Sequence, residues 1–331
     1  MKILLPFLGV IGVVMVAFVG VELLNLRYLF GIIIPYAAFI TFMAGVILHV
    51  LKWGRSAVPF CIPTTSGQQK SFPWVKRDRL DNPSDNLEVI GRMALEVFLF
   101  RSLFSNTSSS LKEDEGRLIH GSSKWLWGAG LAFHWTFFIV VFRHLRLFVD
   151  PIPSVLYLVD SLDGLMQLGV PVLYWTGLIL LGSATYLFIR RVFIPQVRYI
   201  SLPNDHFPLL LIIAIVLSGL LMRYFLKVDI IYVKDLTVGL FSLKPVITHN
   251  LGLIFYIHLF LVSVLLAYFP FSKLMHAAGV LLSPTRNMPN NSRRVRHINP
   301  WNYPVKVHTY EEYEDDFRDK MKKAGIPVEK E

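Results

Sequence analysis

The chain has 331 residues, of which 54% are hydrophobic and 17% charged, and its formal net charge at pH 7 is +10. With a mean hydropathy of +0.51, this composition excludes an ordinary soluble domain and indicates an integral membrane protein. The basic residues lie mainly between apolar stretches and in the tail, a pattern typical of cytoplasmic loops, so we expect no nucleic-acid partner. The single cysteine, Cys61, excludes an internal disulfide, and any iron–sulfur cluster must belong to a partner subunit.

Six apolar stretches reach the roughly 20 residues that a membrane-spanning helix requires. The predicted spans are residues 3–24, 28–51, 124–149, 168–192, 207–226 and 245–269. The first has no small-residue cleavage site after it, so it is predicted to be a retained helix and not a signal peptide. The sequence therefore predicts an all-α integral membrane protein, a six-helix transmembrane bundle.

The loops between the predicted spans differ in charge. The loop 52–123, the loop after the fourth span and the tail are rich in Lys and Arg, and six spans place all three on one side. The positive-inside rule makes that side cytoplasmic, with both termini on it. The loop 150–167 agrees, with three Asp and no Lys or Arg, whereas the loop 227–244, with three Lys and two Asp, agrees less well.

Two further helices are predicted outside the spans. Asp85, followed three residues later by Glu88, resembles a capping box that opens a helix over residues 86–104. Its apolar residues recur at helical spacing, which favours an amphipathic helix lying in the headgroup region. Residues 106–110 are expected to be a polar linker. The tail stretch YEEYEDDFRDKMKK, acidic at its start and basic at its end, predicts a short helix that is either merely solvated or a docking site for a soluble subunit.

Four histidines lie in the predicted membrane region: His134 and His144 in the third span, and His258 and His276 in the last apolar stretch. An ionisable residue in a span is costly and indicates a functional site. Ten residues separate the first pair by about 15 Å, and eighteen residues separate the second by about 27 Å if the helix is straight. Because these spans run antiparallel, His134 is expected opposite His276 and His144 opposite His258, with a bend near Pro270 or a tilt between the helices.

Paired imidazoles between helices suit the two axial positions of a b-type haem, so two haems are predicted. Arg143 and Arg146 flank His144 and could neutralise haem propionates, although arginines at a helix end often only extend to the headgroups. Two other classes stay open: a proton-coupled transporter with a histidine relay, for which inverted repeats are lacking, and a structural anchor whose histidines join helices by hydrogen bonds.

Two stretches carry a family resemblance. FHWTFFIVVFRH (133–144) and YIHLFLVSVLLAYFPFSKLMH (256–276) resemble the gamma subunit of respiratory nitrate reductase, a dihaem cytochrome b, in which the corresponding four histidines are the haem ligands. RRVFIPQVR (190–198) also resembles that family's basic inner loop, and the resemblance covers about residues 28–276. The additional first span (1–27), the enlarged loop 52–123 and the tail (283–331) look more like the membrane cytochrome b subunit of the Dsr complex and of its archaeal heterodisulfide-reductase-like relative. HGSSKWLW (120–127) and the ending from WNYP onward carry that second likeness.

The resemblance implies a dihaem bundle over residues 28–282 in the cell membrane that exchanges electrons with menaquinone or menaquinol. It implies a cytoplasmic iron–sulfur subunit as partner, further membrane or periplasm-side subunits, and a role in sulfur or sulfite metabolism. The alternative is the gamma subunit of a nitrate-reductase-type complex. In this resemblance His134 and His276 would hold the inner haem, and His144 and His258 the outer haem. Catalysis by the chain itself would be limited to quinol oxidation or reduction near the outer haem, where Asp160, Asp163 and His249 are candidate quinone-site residues, although an Asp in such a loop is often only solvated.

Overall fold

The computed structural model describes residues 2–56, 63, 65–112, 116–164, 171–248, 250–283, 285–291, 295 and 308–330. Within these residues, six helices are long and apolar enough to cross a membrane, which confirms the predicted number. They are Leu4–Leu23, Leu29–Gly54, Lys124–Leu147, Trp175–Phe193, Pro203–Phe225 and Leu253–Phe271. The chain is therefore a mostly helical, multi-pass membrane protein, as predicted.

The helices follow one another along the chain with one β-hairpin between the second and third spans. In chain order the elements are α1 (Leu4–Phe18), α2 (Ile34–Gly54), α3 (Asn86–Leu99), α4 (Arg101–Phe104), β1 (Thr107–Lys112), β2 (Arg117–Ser122), α5 (Lys124–His144), α6 (Ser154–Asp163), α7 (Trp175–Phe193), α8 (Pro195–Ile200), α9 (Pro203–Leu220), α10 (Ile230–Phe241), α11 (Leu253–Tyr268), α12 (His276–Leu282) and α13 (Tyr310–Lys323). Wider π turns extend three spans: Val19–Leu23 after α1, Leu29–Ile33 before α2 and Leu221–Phe225 after α9.

The spans turn much of their apolar surface outward. Leu5, Ile40 and Leu48 are each about two-thirds exposed (66%, 65% and 66%), which is the reverse of the pattern in a soluble protein and suits contact with lipid. The interior is correspondingly small. On one side of it, Val10 of α1 packs with Leu211 and Leu261, so the first span is part of the bundle.

The spans are arranged around four neighbouring helices. α5 packs against α7, α7 against α9 and α9 against α11, while α1 packs on α9 and α11 and α2 packs on α11. Among the described residues, α5 and α11 make no comparable backbone contact with each other. The space between these two spans, which the predicted histidines border, is therefore not closed by direct helix–helix packing.

We call the end of the bundle that carries the β-hairpin and α8 the hairpin side. There, Asp85 accepts a hydrogen bond from the backbone N–H of Glu88, which confirms the predicted start of a helix. The predicted helix over 86–104 is interrupted at Phe100, whose φ of 50° separates α3 from α4. The prediction of a polar linker at 106–110 is wrong, because β1 pairs with β2 in antiparallel register from Thr107 opposite Ser122 onward. Cross-strand pairing, and not local propensity, makes these serine-rich residues a strand.

We call the opposite end, which carries α6 and α10, the α6 side. Neither helix was predicted, and two spans were predicted to begin too early, at 168 and 245 in place of Trp175 and Leu253. Proline lacks a donor N–H and disfavours a helical residue before it, so Pro171 and Pro245 do not continue a helix in these stretches. In the tail, α13 confirms the predicted helix, and Thr309 and Glu312 form its capping box.

Candidate functional site

Two of the predicted histidines meet near the hairpin side. His134 lies midway along α5, and His276 begins α12. Their ring centroids are 6.0 Å apart and the ring planes make an angle of 86°. Because a metal–imidazole bond is about 2 Å long, two imidazoles on opposite sides of one metal have their nitrogens about 4 Å apart and their centroids about 6 Å apart. The separation of this pair matches that arrangement.

The last span is broken where the pairing requires it. α11 ends at Tyr268, Phe269–Phe271 forms a tight turn, and Ser272 is extended before a second tight turn over Lys273–Met275. The Ser272 hydroxyl accepts the backbone N–H of Leu274 at 3.1 Å and so starts the second turn. This break near Pro270 was predicted from the unequal histidine spacings. α2 approaches it closely, since a Cβ added at Gly45 would lie 2.5 Å from Cβ of Pro270.

The other two histidines lie towards the α6 side. His144 is the last residue of α5, and His258 lies in the first turns of α11. α9 supports His258 at two positions. The Ser218 hydroxyl is 2.8 Å from Nδ1 of His258, and Gly219 leaves space for its ring, because a Cβ at Gly219 would lie 3.4 Å from Cε1.

The hydrogen bonds fix which nitrogen of each ring carries the proton. Nδ1 of His134 lies 2.8 Å from the Gly130 carbonyl, Nδ1 of His144 2.7 Å from the Val140 carbonyl, and Nδ1 of His276 2.8 Å from the Lys273 carbonyl. A carbonyl can only accept, so each Nδ1 must be the protonated donor and each Nε2 of a neutral ring keeps its lone pair.

His258 is also protonated at Nδ1, but its acceptor is a hydroxyl and not a carbonyl. The Ser218 hydroxyl donates its one proton to the Ile215 carbonyl at 2.9 Å, so it accepts from Nδ1–H of His258. None of the four Nε2 atoms makes a hydrogen bond to another residue that the structure describes. Metal-ligating histidines typically donate their second N–H in this way, which fixes the tautomer and the orientation of the ring.

Two other histidines show what distinguishes the four. Nδ1 of His49 donates to the Gly45 carbonyl at 3.0 Å, but its ring neighbours are Trp53 and Phe271 and not a second imidazole. His206 is 1% exposed and packs edge-on against Phe188. The backbone hydrogen bond alone is therefore no signature of a ligand; what sets His134 and His276 apart from these two is the second imidazole at 6.0 Å.

The donor set fits a haem better than a bare metal ion. Within the described residues, no three His, Cys, Asp or Glu side chains come together as a set that could hold a metal ion. Two opposed imidazoles suit a metal whose remaining four positions are filled by a macrocycle. Their rings are also accessible: His144 and His276 are exposed, and His134 and His258 are partly so.

A network of ion pairs surrounds the end of α5 on the α6 side. Asp163 is 7% exposed and binds the Arg143 guanidinium, and it also accepts the backbone N–H and the hydroxyl of Thr176 at 2.9 and 2.6 Å. Asp160 binds Arg146 at 3.0 Å, and its other oxygen lies 3.8 Å from Nε of Arg143. Both aspartates, for which simple solvation was the alternative, are thus paired with the two arginines that flank His144.

The three predicted quinone-site residues therefore differ. Both oxygens of Asp163 are occupied, so it acts as a bridge between α5, α6 and α7. Oδ1 of Asp160 is buried and makes no hydrogen bond within the described part of the chain. His249 lies outside the described residues. The helix that was expected to carry it from 245 begins only at Leu253.

The loop helices on the hairpin side attach to α5 beside His134. The Phe100 ring meets the His134 ring edge-on, with centroids 4.9 Å apart. The indole N–H groups of Trp127 and Trp135 donate to the carbonyls of Leu99 and Phe98 at 2.8 and 3.0 Å, and so satisfy acceptors at the end of α3. The loop 52–123 is therefore joined directly to the wall of the first histidine pair.

An ion pair supports His276 from the neighbouring span. Nζ of Lys273 binds Asp205 of α9 at 2.6 Å, and the carbonyl of the same lysine accepts the His276 proton. Sequence reasoning missed Asp205, Ser218 and the Phe100 contact. The sequence pointed to Lys273 through its place in the PFSK motif. It gave no indication of Asp205, which lies 68 residues away in the chain.

The sequence profile of the nitrate reductase gamma subunit family matches residues 100–290, which is more than half of the chain. The chain belongs to this family. The matched stretch contains all four histidines and both ion-pair networks that support them. Within the family, a relative from Archaeoglobus fulgidus named Hdr-like menaquinol oxidoreductase cytochrome b-like subunit is 46% identical over 280 residues, which cover 82% of this chain and 83% of the relative. A relative of the same name from Archaeoglobus profundus is 43% identical over 275 residues, which cover 81% of each chain.

Proposed function

We propose that the chain is the dihaem cytochrome b subunit of a menaquinol oxidoreductase complex of the heterodisulfide-reductase-like type. The facing pair His134 and His276, at 6.0 Å and with both Nε2 lone pairs available, carries this proposal. The names of the two archaeal relatives support the menaquinol and the complex. His144 and His258 would hold the second haem b.

The residues of the chain have separable tasks in this function. The Nε2 atoms of the four histidines would bind the haem irons, and the hydrogen bonds donated by their Nδ1–H groups fix the orientation of the rings. The apolar walls of α5 and α11 exclude water, and the arginines near His144 set the local charge. When bound, the haems supply the electron-transfer chemistry of the subunit.

Quinol oxidation on the α6 side requires a proton acceptor, because a quinol loses two protons with its two electrons. Asp160 suits this role best among the predicted residues, since its Oδ1 is buried without a hydrogen bond while Asp163 has both oxygens occupied. We retain His249 as a candidate on the basis of sequence alone. Proton release on this side with electron delivery to the other would make turnover charge-separating.

The hairpin side is the proposed docking side for a cytoplasmic iron–sulfur subunit. It carries the enlarged loop, whose α3 and α4 contact the wall of the His134–His276 pair through Phe100. The segment after α12 also joins this loop, because the backbone N–H of Asn290 donates to the Pro83 carbonyl at 2.7 Å. The positive-inside rule makes this side cytoplasmic and both termini with it. A role in sulfur or sulfite metabolism follows from the resemblance to the Dsr complex.

Haem content in the purified, membrane-inserted chain tests the function. A reduced-minus-oxidised spectrum with pyridine haemochrome quantitation is expected to give two haem b per chain. His134→Ala is expected to lose one haem and His258→Ala the other, while the matched control His49→Ala, whose ring faces no imidazole, keeps both. Absence of haem b from folded protein would refute the proposal, and one haem per chain would remove one of the two pairs.

Reduction by a soluble menaquinol analogue tests the quinol step. Asp160→Asn is expected to slow haem reduction by the analogue while two haems are retained, because the amide cannot accept the proton. Reduction of the same variant by dithionite is the control for haem accessibility. An unchanged rate with the analogue would exclude Asp160 as the proton acceptor.

A further inference from the structure

The network on the α6 side contains a third arginine that is not paired with any carboxylate in the described part of the chain. Arg223 lies in the π turn Leu221–Phe225 that ends the fifth span, and it is partly buried. A charge at this depth needs a partner, and a single π turn in a helix is frequent at functional sites. What Arg223 binds can be argued from charge, geometry and position.

The charges of the network do not balance. Arg143 and Arg146 are paired with Asp163 and Asp160, which gives two positive and two negative charges. Within the described residues, Arg223 has no carboxylate within 4 Å, and residues 165–170, LMQLGV, contain none in their sequence. One positive charge therefore remains, and an anion of charge −1 would balance it.

The geometry holds the Arg223 guanidinium in place without neutralising it. Its carbon lies 4.0 Å from the centroid of the Tyr174 ring, and that of Arg143 lies 3.7 Å from the same centroid. The Tyr174 ring is therefore a shared neighbour of both guanidinium groups. Nη2 of Arg223 donates to the Val172 carbonyl at 3.2 Å, whereas its Nε is buried without a hydrogen-bond partner in the described chain. A buried unsatisfied donor is costly, so this N–H is expected to have a ligand.

The position of Arg223 relates it to the second histidine pair. Ser218 and Gly219, which contact the ring of His258, precede Arg223 by five and four residues on the same helix. At 1.5 Å per residue, Arg223 lies about 6 to 8 Å further towards the α6 side, roughly one turn beyond the ring. Arg143, which also lies against the Tyr174 ring, directly precedes His144 in the chain, so each ligand of this pair has an arginine within five residues of its own position or of the residues that contact it.

We propose that Arg223 binds a carboxylate of the haem that His144 and His258 would hold, an inference that rests on the proposed function. Arg143 and Arg146, the arginines that the sequence suggested for this role, are already neutralised by Asp163 and Asp160. Arg223 supplies the unpaired charge and a rigid fork that matches a carboxylate. The other ligand of similar chemistry, a quinol oxygen, is neutral and leaves the charge unbalanced.

Redox titration of the two haems, followed by optical spectroscopy, tests the proposal. Arg223→Met is made both in the full chain and in His134→Ala, which retains only the His144–His258 haem. Loss of a cation beside the haem is expected to lower the midpoint potential of this haem and to reduce its content, while the other haem is unchanged. Arg223→Lys, which keeps the charge but not the fork, is expected to give a smaller shift.

Lys234→Met is the matched control, because it removes a cation on the same side whose partner is Asp150. An equal shift in this control, or unchanged potential and content in Arg223→Met, would overturn the proposal. So would unchanged potentials with a higher concentration of menaquinol analogue needed for half-maximal reduction, which would assign Arg223 to the quinol. Where Arg223→Met does not fold, Arg223→Gln is measured in the same way. Absence of haem b from the parent chain would instead refute the proposed function.

Discussion

Removal of the Ser218 hydroxyl should weaken one haem site and leave the other intact. Ser218→Ala takes away the acceptor of the Nδ1–H of His258 at 2.8 Å, in a position that is 5% exposed. A hydrogen bond contributes about 0.5–1.5 kcal/mol net, which corresponds to about 2- to 13-fold in an equilibrium constant. Loss of a partner behind a metal ligand typically lowers metal affinity about 10- to 100-fold. The two ranges overlap at about tenfold weaker haem retention by the His144–His258 pair.

Haem retention can be measured by transfer of haem from the chain to excess apomyoglobin, with each haem followed in the corresponding single-histidine variant. Ser183→Ala is the matched control, since Ser183 is also buried in a span but its hydroxyl donates at 3.1 Å to Leu180 of its own helix. An unchanged retention of the His144–His258 haem in Ser218→Ala would refute the reasoning. Equal weakening of both haems would show a global effect on the bundle and would refute it as well.

Two further predictions concern the hairpin side and the tail. Asp205→Asn should lower the content of the His134–His276 haem, because Asp205 forms the ion pair that positions Lys273, and the double exchange Asp205→Lys with Lys273→Asp should restore it. The melting temperature should change little, since Lys273 is 69% exposed and exposed ion pairs contribute about 1 kcal/mol or less. An unchanged haem spectrum would contradict this role. In the tail, the backbone N–H groups of Glu329 and Lys330 and the Arg318 side chain donate hydrogen bonds to the Glu314 carboxylate and lower its pKa from the ordinary value of 4.5. The carboxylate therefore stabilises the C-terminal segment fully at pH values above 4.5, and this stabilisation disappears as the pH falls through the lowered pKa. The Glu329 and Lys330 amides should therefore be equally protected from hydrogen exchange at pH 7 and 5 and unprotected in Glu314→Gln, whereas the Ile326 amide, which donates to the Met321 carbonyl, is the control. Loss of protection of the two amides between pH 7 and 5 would contradict the assignment.

Hydropathy sufficed for the six spans because the cost of placing polar groups in lipid acts on each residue locally. α3 was predicted from its capping residue Asp85, since an N-cap involves residues only three positions apart. α13 was predicted from the acidic start and basic end of its own sequence. The β-hairpin was missed because its serines become a strand only through pairing with β2. α6 and α10 were missed because their sequences are short and lie in predicted loops, where burial against α5 and its final turn holds them.

The sequence by itself indicated four histidines in two antiparallel apolar stretches, an early-with-late pairing, and either a bend near Pro270 or a tilt between the helices. Only the tertiary structure decided which protons those rings carry, because Gly130 and Val140 act locally but Ser218 reaches His258 from another span, 40 residues away. Likewise, their positions beside His144 suggested Arg143 and Arg146 as partners of haem propionates, whereas packing places them against Asp163 and Asp160 and leaves Arg223 without a carboxylate partner in the described chain. Hydrophobicity and helical periodicity are read along the chain, but hydrogen bonds and charge balance depend on residues that only the packing of separate helices brings together.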